Sequence, residues 1–132
     1  MFVDASALCA ILALEDDAED FANRIRAAER RVTSPLAVWE AVINLPRLNG
    51  LDVGASEKEV IKFLELASIE IVAVEPAATV LALEAFRRYG KGRHPAALNF
   101  GDCFAYEVAK ERACPLLYVG DDFSKTDIES VL

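Results

Sequence analysis

The stretch that most constrains the fold is the first one, MFVDASALCAILAL, in which thirteen of fourteen residues are apolar or small and the other is an aspartate, Asp4. A carboxylate buried without compensation costs several kcal/mol, against a total domain stability of about 5–15 kcal/mol. The chain must therefore bring Asp4 out at the end of an element or give it a counter-charge. Residues 1 to 3 are short and β-prone, and the Ala- and Leu-rich residues after Asp4 read as the start of a helix, which places Asp4 at a strand's C-terminal end. The stretch does not read as a secretory leader. No Lys or Arg precedes it, Asp4 interrupts it, and Glu15, Asp16 and Asp17 follow at once.

With 132 residues and 54% hydrophobic content, residues 1–132 fit one domain, large enough to bury roughly two-thirds of its unfolded surface. Cys9, Cys103 and Cys114 are odd in number, sit in apolar contexts and lack metal-ligand spacing, so they read as reduced thiols of a soluble, cytoplasmic protein. No other uncharged run approaches the roughly 18–20 residues that span a membrane. The net charge of −8 argues against generic nucleic-acid binding by the whole surface. One segment departs from it. FRRYGKGRHP, residues 86–95, carries Arg87, Arg88, Lys91, Arg93 and His94, a basic patch on an acidic body.

Along the chain, DAEDFANRIRAA (17–28) has early acids, late bases and apolar residues at helical spacing. RRVTSP (30–35) reads as a brief strand, and LAVWEAVINLPRL as a helix that runs to a break at Asn49 and Gly50, with Pro46 ending or bending its last turn. SEKE (56–59) matches a capping box with Ser56 as N-cap, opening a helix to about Ala67. IEIVAVE (69–75) reads as a strand, and Pro76 as the start of a helix to Tyr89. LNFGDCFAYEVAKER suggests a helix beginning between Asn99 and Asp102, and CPLLYVGDD (114–122) a strand ending in two acids. Alternating strands and helices predict an α/β fold with a parallel sheet covered on both faces.

In open α/β sheets, functional groups gather beyond the carboxyl ends of the strands. Asp4 and the pair Asp121 and Asp122 take such positions, Asp102 lies at a helix start, and Glu40 is the one acid in an apolar helix. Each has an ordinary explanation alone: a solvated Glu40, a first-turn Asp102 favoured by the helix dipole, an N-cap at Asp122. Together, if they converge, their repulsion calls for shared protons or a bound cation. Oxygen donors without His or Cys suit Mg²⁺ or Mn²⁺ rather than zinc. Such a cluster suits metal-assisted phosphodiester hydrolysis. His94 is the only histidine, which excludes a two-histidine ribonuclease and leaves any Ser-His-Asp arrangement dependent on one loop residue. Trp39, Phe100, Phe104 and Tyr106 read as core aromatics by the helical spacing of their neighbours.

MFVDASALCAIL, SPLAVWEAV, FRRYGKGRHPAALNFGDCFAYEVAK and PLLYVGDDFSKTDI resemble, in order and spacing, the PIN-domain toxins of VapBC toxin–antitoxin systems over nearly the whole chain. The resemblance implies an α/β/α sandwich with a short central parallel sheet of about four or five strands, and an endoribonuclease using Mg²⁺ or Mn²⁺ on RNA, often a structured RNA such as tRNA. Its acids fall on Asp4, Glu40 and Asp102, with Asp121 favoured as the fourth and Asp122 as the residue holding the loop. Ser6 is similar to the family's small polar residue that reaches the metal through water. It also implies a homodimer held inactive by a cognate VapB antitoxin whose tail covers the acids. Beside that implied site, Arg87, Arg88, Lys91 and Arg93 are candidates to neutralise RNA phosphates and Tyr89 to stack on an unpaired base. The alternatives are a catalytically inactive PIN-like binding module or a phospho-receiver signalling module. The receiver fits poorly, because Asp4 is followed by Ala5 and GDD stands where a lysine is needed.

Overall fold

The fold is described from a computed structural model covering residues 1–131. Phe2 and Val3 are fully buried and form β1 (Phe2–Val3), an inner strand of the sheet. Asp4 leaves that strand in extended conformation and caps helix α1 (Ala5–Leu12). Helix α2 (Ala18–Ala27) follows, burying Phe21 and Ile25 on one side. Then come β2 (Val32–Thr33), α3 (Pro35–Asn49), α4 (Val53–Leu66), β3 (Glu70–Ile71), α5 (Ala78–Tyr89), α6 (Phe100–Glu111) and β4 (Leu116–Leu117), with a single 3₁₀ turn at Phe123–Lys125.

The four strands are parallel in the order β3-β2-β1-β4, with Phe2 opposite both Val32 and Leu116 and Val32 opposite Glu70. Parallel strands need crossover helices, and six helices flank this sheet, as the strand–helix alternation predicts. The core joins the apolar residues of β1, β2 and β4 to Leu8, Ile25, Leu45, Val60, Leu98, Val108 and Tyr118, each of these seven no more than 1% exposed. At about 1.5–3 kcal/mol per large apolar side chain, this burial is what offsets the chain's ordering entropy.

Of three local expectations, two are corrected. The N-cap of α4 is Asp52, whose carboxylate accepts from Ala55 N at 2.8 Å, while Ser56 is fully buried a turn later with an unpartnered hydroxyl. Gly50 ends α3 in the left-handed conformation (φ 74°), so the next helix can begin at once and the earlier of two possible caps takes it. α3 stops at the break expected at Asn49 and Gly50, and not before it at Pro46. Pro46 lies in the last turn, lacking only one N–H, and the helix continues to Asn49. IEIVAVE contributes only Glu70 and Ile71 to the sheet, because β3 pairs solely with β2, which itself stops where Ser34 caps α3.

Candidate active site

The carboxyl ends of β1 and β4 and the first turns of α1 and α6 open onto one cavity of about 330 Å³. Asp4, Glu40, Asp102 and Asp122 line it, with Ser6, Asn44 and Asn99 among the polar groups between them. Four stretches far apart in sequence thus deliver acids to one place.

Asp4 is 6% exposed. Its Oδ2 accepts from the Ser6 hydroxyl at 2.5 Å and from the Ser6 N–H at 3.0 Å. Burial pushes its pKa above the ordinary carboxylate range, and the bonds from Ser6 and Ala5 only partly oppose this. The Ser6 hydroxyl also accepts from Val119 N at 3.0 Å, so one side chain ties Asp4 to the loop that follows β4. Glu40, half-buried on the second turn of α3, is held up first by burial and then by the charges of Asp4 and Asp102. Asp102 sits in a reciprocal capping box at the start of α6. Its N–H donates to Asn99 Oδ1 at 3.0 Å, and its Oδ2 accepts from Asn99 N at 2.8 Å. Burial, outweighing that hydrogen bond, lifts its pKa to about 6, with Asp4 and Asp122 adding to the rise. Gly101 lets the two helices meet, because a Cβ there would overlap Oε2 of Glu40.

The last acid is placed differently from the sequence reading. Asp121 is exposed and pairs with Lys125 at 2.6 Å, the bond that holds its pKa down; it does not line the cavity. Asp122 lines the cavity and raises Asp102. Asp121 therefore holds the loop through Lys125, and Asp122 takes the cavity side. The reason is the turn itself: the 3₁₀ segment puts Lys125 within reach of Asp121, and Phe123, 3% exposed, anchors the chain beneath.

The RNA-facing candidates separate as well. Lys91 and Arg93 are exposed and make no ion pair among the described residues, and the Arg93 guanidinium lies 5.5 Å from the centre of the Phe86 ring. Arg87 is paired with Glu84 at 3.2 Å. Arg88 is paired with Asp127 at 3.6 Å and donates to the Tyr89 hydroxyl. Tyr89 is corrected as a stacking residue: it is 8% exposed, with its ring edge-on to His94 and tilted against Tyr106. His94 lies outside the acid cavity, its Nδ1 accepting from Ala96 N within the loop. Of the aromatics read as core, Tyr106 is buried, but Trp39 is 64% and Phe100 69% exposed.

Sequence reasoning passed over Asn44, Asn99, Gly101 and Glu15, which also lines the cavity. Two were legible: Asn44 is one helical turn beyond Glu40, and Asn99 stands three residues before Asp102, the capping-box spacing.

The donor set fits a hard divalent cation, being carboxylates with a serine hydroxyl and no histidine or reactive thiol; Cys9 at the cavity wall is held up to about 11 by burial. The acids line the walls rather than forming a closed cage. Among the described residues, no three His, Cys, Asp or Glu side chains lie close enough to hold one ion as placed.

Fold and cavity together define a class: a parallel α/β/α domain with a carboxylate-lined site at the carboxyl edge of its sheet. The chain belongs to the PIN-domain family, whose model matches residues 1–129. It is 40% identical over 131 residues to the ribonuclease VapC30 of Mycobacterium tuberculosis, covering 99% of this chain and 98% of that one. The ribonuclease VapC of Mycolicibacterium smegmatis is also 40% identical, with 99% of each chain covered. Among solved structures, M. tuberculosis VapC20, described as a sarcin–ricin loop cleaving toxin, matches with a TM-score of 0.78 over 98% of this chain and 97% of that one, at 17% identity.

Proposed function

We propose that the chain is the toxin of a VapBC pair and an endoribonuclease that hydrolyses RNA phosphodiester bonds with Mg²⁺, for which Mn²⁺ can substitute. The observation that carries the reading is the convergence of Asp4, Glu40, Asp102 and Asp122 on one cavity, three of them with pKa values raised by burial, and Glu40 and Asp102 raised further by the charge of neighbouring acids. The similarity to VapC ribonucleases over the full length supports the substrate class.

These four acids, with Ser6 through water, would hold the cation. Bound there, it would offset their repulsion, polarise the phosphoryl group and acidify a water. The chain's own residues supply position. Ser6 fixes the Asp4 carboxylate and joins it to the loop carrying Asp122. Asn99 fixes the rotamer of Asp102 through Oδ2, leaving Oδ1 outside the capping box. Asn44 offers an amide to the substrate from the same face as Glu40. Lys91 and Arg93 draw the phosphate backbone toward an otherwise acidic molecule. A structured RNA such as tRNA is the proposed substrate. The active form is a homodimer, neutralised by a VapB-type antitoxin whose basic tail complements the acid cavity and the net charge of −8.

The test is cleavage of labelled tRNA with Mg²⁺, with Mn²⁺ and with EDTA. Asp4→Asn and Asp102→Asn should lose the Mg²⁺-dependent activity while keeping the wild-type unfolding transition. Undiminished cleavage by both variants would sink the reading.

A further inference from the structure

Phe100 is the first residue of α6, two positions before Asp102, yet it is 69% exposed and contributes little to the core. Its ring leans on Phe104, with centroids 5.0 Å apart and planes at 57°. With Phe86 and Leu83 these rings line an apolar groove of about 290 Å³ between α5 and α6. A guanidinium stands at its rim, with a lysine in the same loop. The Arg93 guanidinium lies over Phe86, and Lys91 N donates to Leu98 O at 2.9 Å, which pins the basic loop beside the start of α6. Neither cation has a carboxylate partner among the described residues. The other large apolar groove, between α3 and α4 beside Trp39, has Glu57 in its wall and no cation. Charge therefore selects the α5–α6 groove for an anionic polymer with flat apolar bases.

We propose that this groove is a nucleobase subsite: a base next to the cut phosphate leaves its stack and lies on Phe100, while Lys91 and Arg93 take the adjoining phosphates. Stacking is tolerant of sequence, since every base has a π-face. The subsite rests on the ribonuclease reading and deepens it, by making an unpaired nucleotide beside the scissile bond a requirement for tight binding.

The probe is fluorescein-labelled single-stranded oligoadenylate of about 12 nucleotides, within the site sizes usual for such surfaces. Its binding is followed by anisotropy with Mg²⁺ in an Asp4→Asn background, which prevents turnover. Adding Phe100→Ala should weaken binding about thirtyfold, the middle of the range for loss of one stacked base, and Phe100→Trp should restore it. The unfolding transition and the sedimentation mass should stay those of the parent. Equal binding by the alanine variant overturns the subsite, as does a tryptophan variant no better than alanine. A changed mass on Phe100→Ala also overturns it, by assigning the face to a second copy of the chain. Cleavage of bulk RNA by the unmutated chain separates the two levels. Cleavage intact with equal binding removes the subsite alone, whereas no cleavage and no binding removes the ribonuclease reading with it.

Discussion

Gly101→Ala separates stability from activity. Gly101 lies in the first turn of α6 with no positive φ, so alanine takes its backbone conformation without strain. Replacing a helical glycine by alanine gains about 0.5–1 kcal/mol, and the lower end applies in a first turn. The new Cβ would overlap Glu40 Oε2 and come within 3.3 Å of its Cδ and 3.4 Å of Asn99 Oδ1. Glu40 relieves the overlap by swinging its flexible end away, at little cost to the fold but with a carboxylate shift on the order of 1 Å. Misplacement of that size can cost about 10²-fold in rate. The expected outcome is a melting temperature equal to wild type or a few degrees higher, with RNA cleavage reduced between tenfold and a hundredfold, by order of magnitude. Differential scanning fluorimetry and single-turnover cleavage read the two arms. A double-mutant cycle adds specificity: in a Glu40→Ala background, Gly101→Ala should do nothing further, because the residue it displaces is gone. Wild-type cleavage by Gly101→Ala would refute the reasoning, and so would a rate loss matched by a large fall in melting temperature.

The two neighbouring aspartates should behave oppositely in the same cleavage assay: Asp122→Asn loses activity, whereas Asp121→Asn keeps it and gives up only an exposed, solvent-screened ion pair with Lys125. At neutral pH, Mn²⁺ or Mg²⁺ should raise the melting temperature of the wild-type chain, and Asp4→Asn should blunt the rise, since a ligand that binds only the folded state stabilises it by mass action. Asp127, at the C-terminal end, accepts from Tyr106 and pairs with Lys110 and Arg88, interactions led by the Tyr106 bond that hold its pKa down to about 2. Its folded pKa lies below the unfolded value of 3.8, so its contribution is present above about pH 4 and fades as pH falls toward 2. With the side chain 47% exposed, screening limits that contribution to roughly 1 kcal/mol or less. Asp127→Asn should therefore lower the melting temperature slightly at pH 7 and not at pH 2; an unchanged deficit at pH 2 would contradict this assignment.

What the sequence made legible was what local chemistry decides. An acid after two β-prone residues had to leave the core at a strand end, and Asp4 does, because β1 has no room for a charge between Phe2 and the Leu8 layer. Asp102 at a helix start and Asn99 three residues earlier follow from capping alone. Choices between equivalent local options were not legible. Both Asp52 and Ser56 can cap a helix, and the decision came from where Gly50 ended the previous one. Either Asp121 or Asp122 can face the sheet edge, and the decision came from Lys125, four residues on, reaching back to one of them.

The exposed aromatics show the same limit from another side. Helical spacing put Phe100 and Trp39 in the core because their neighbours are apolar, but spacing cannot say how many faces of a helix are covered. α3 turns its buried face to α1, α4 and α6, leaving Trp39 outside. α6 begins at the cavity's edge, so its first residue has nothing packed over it. Both exposed rings lie within two residues of a cavity acid, Trp39 before Glu40 and Phe100 before Asp102. This is a consequence of building a site at helix starts beyond a short sheet. The turn that carries an acid inward must carry its neighbours outward, and two-residue strands leave no further layer to cover them. An exposed apolar flank is thus part of the geometry that assembles the acids, available to whatever the site must hold in register. On the α5–α6 side the guanidinium of Arg93 over Phe86 favours an occupant with negative charge.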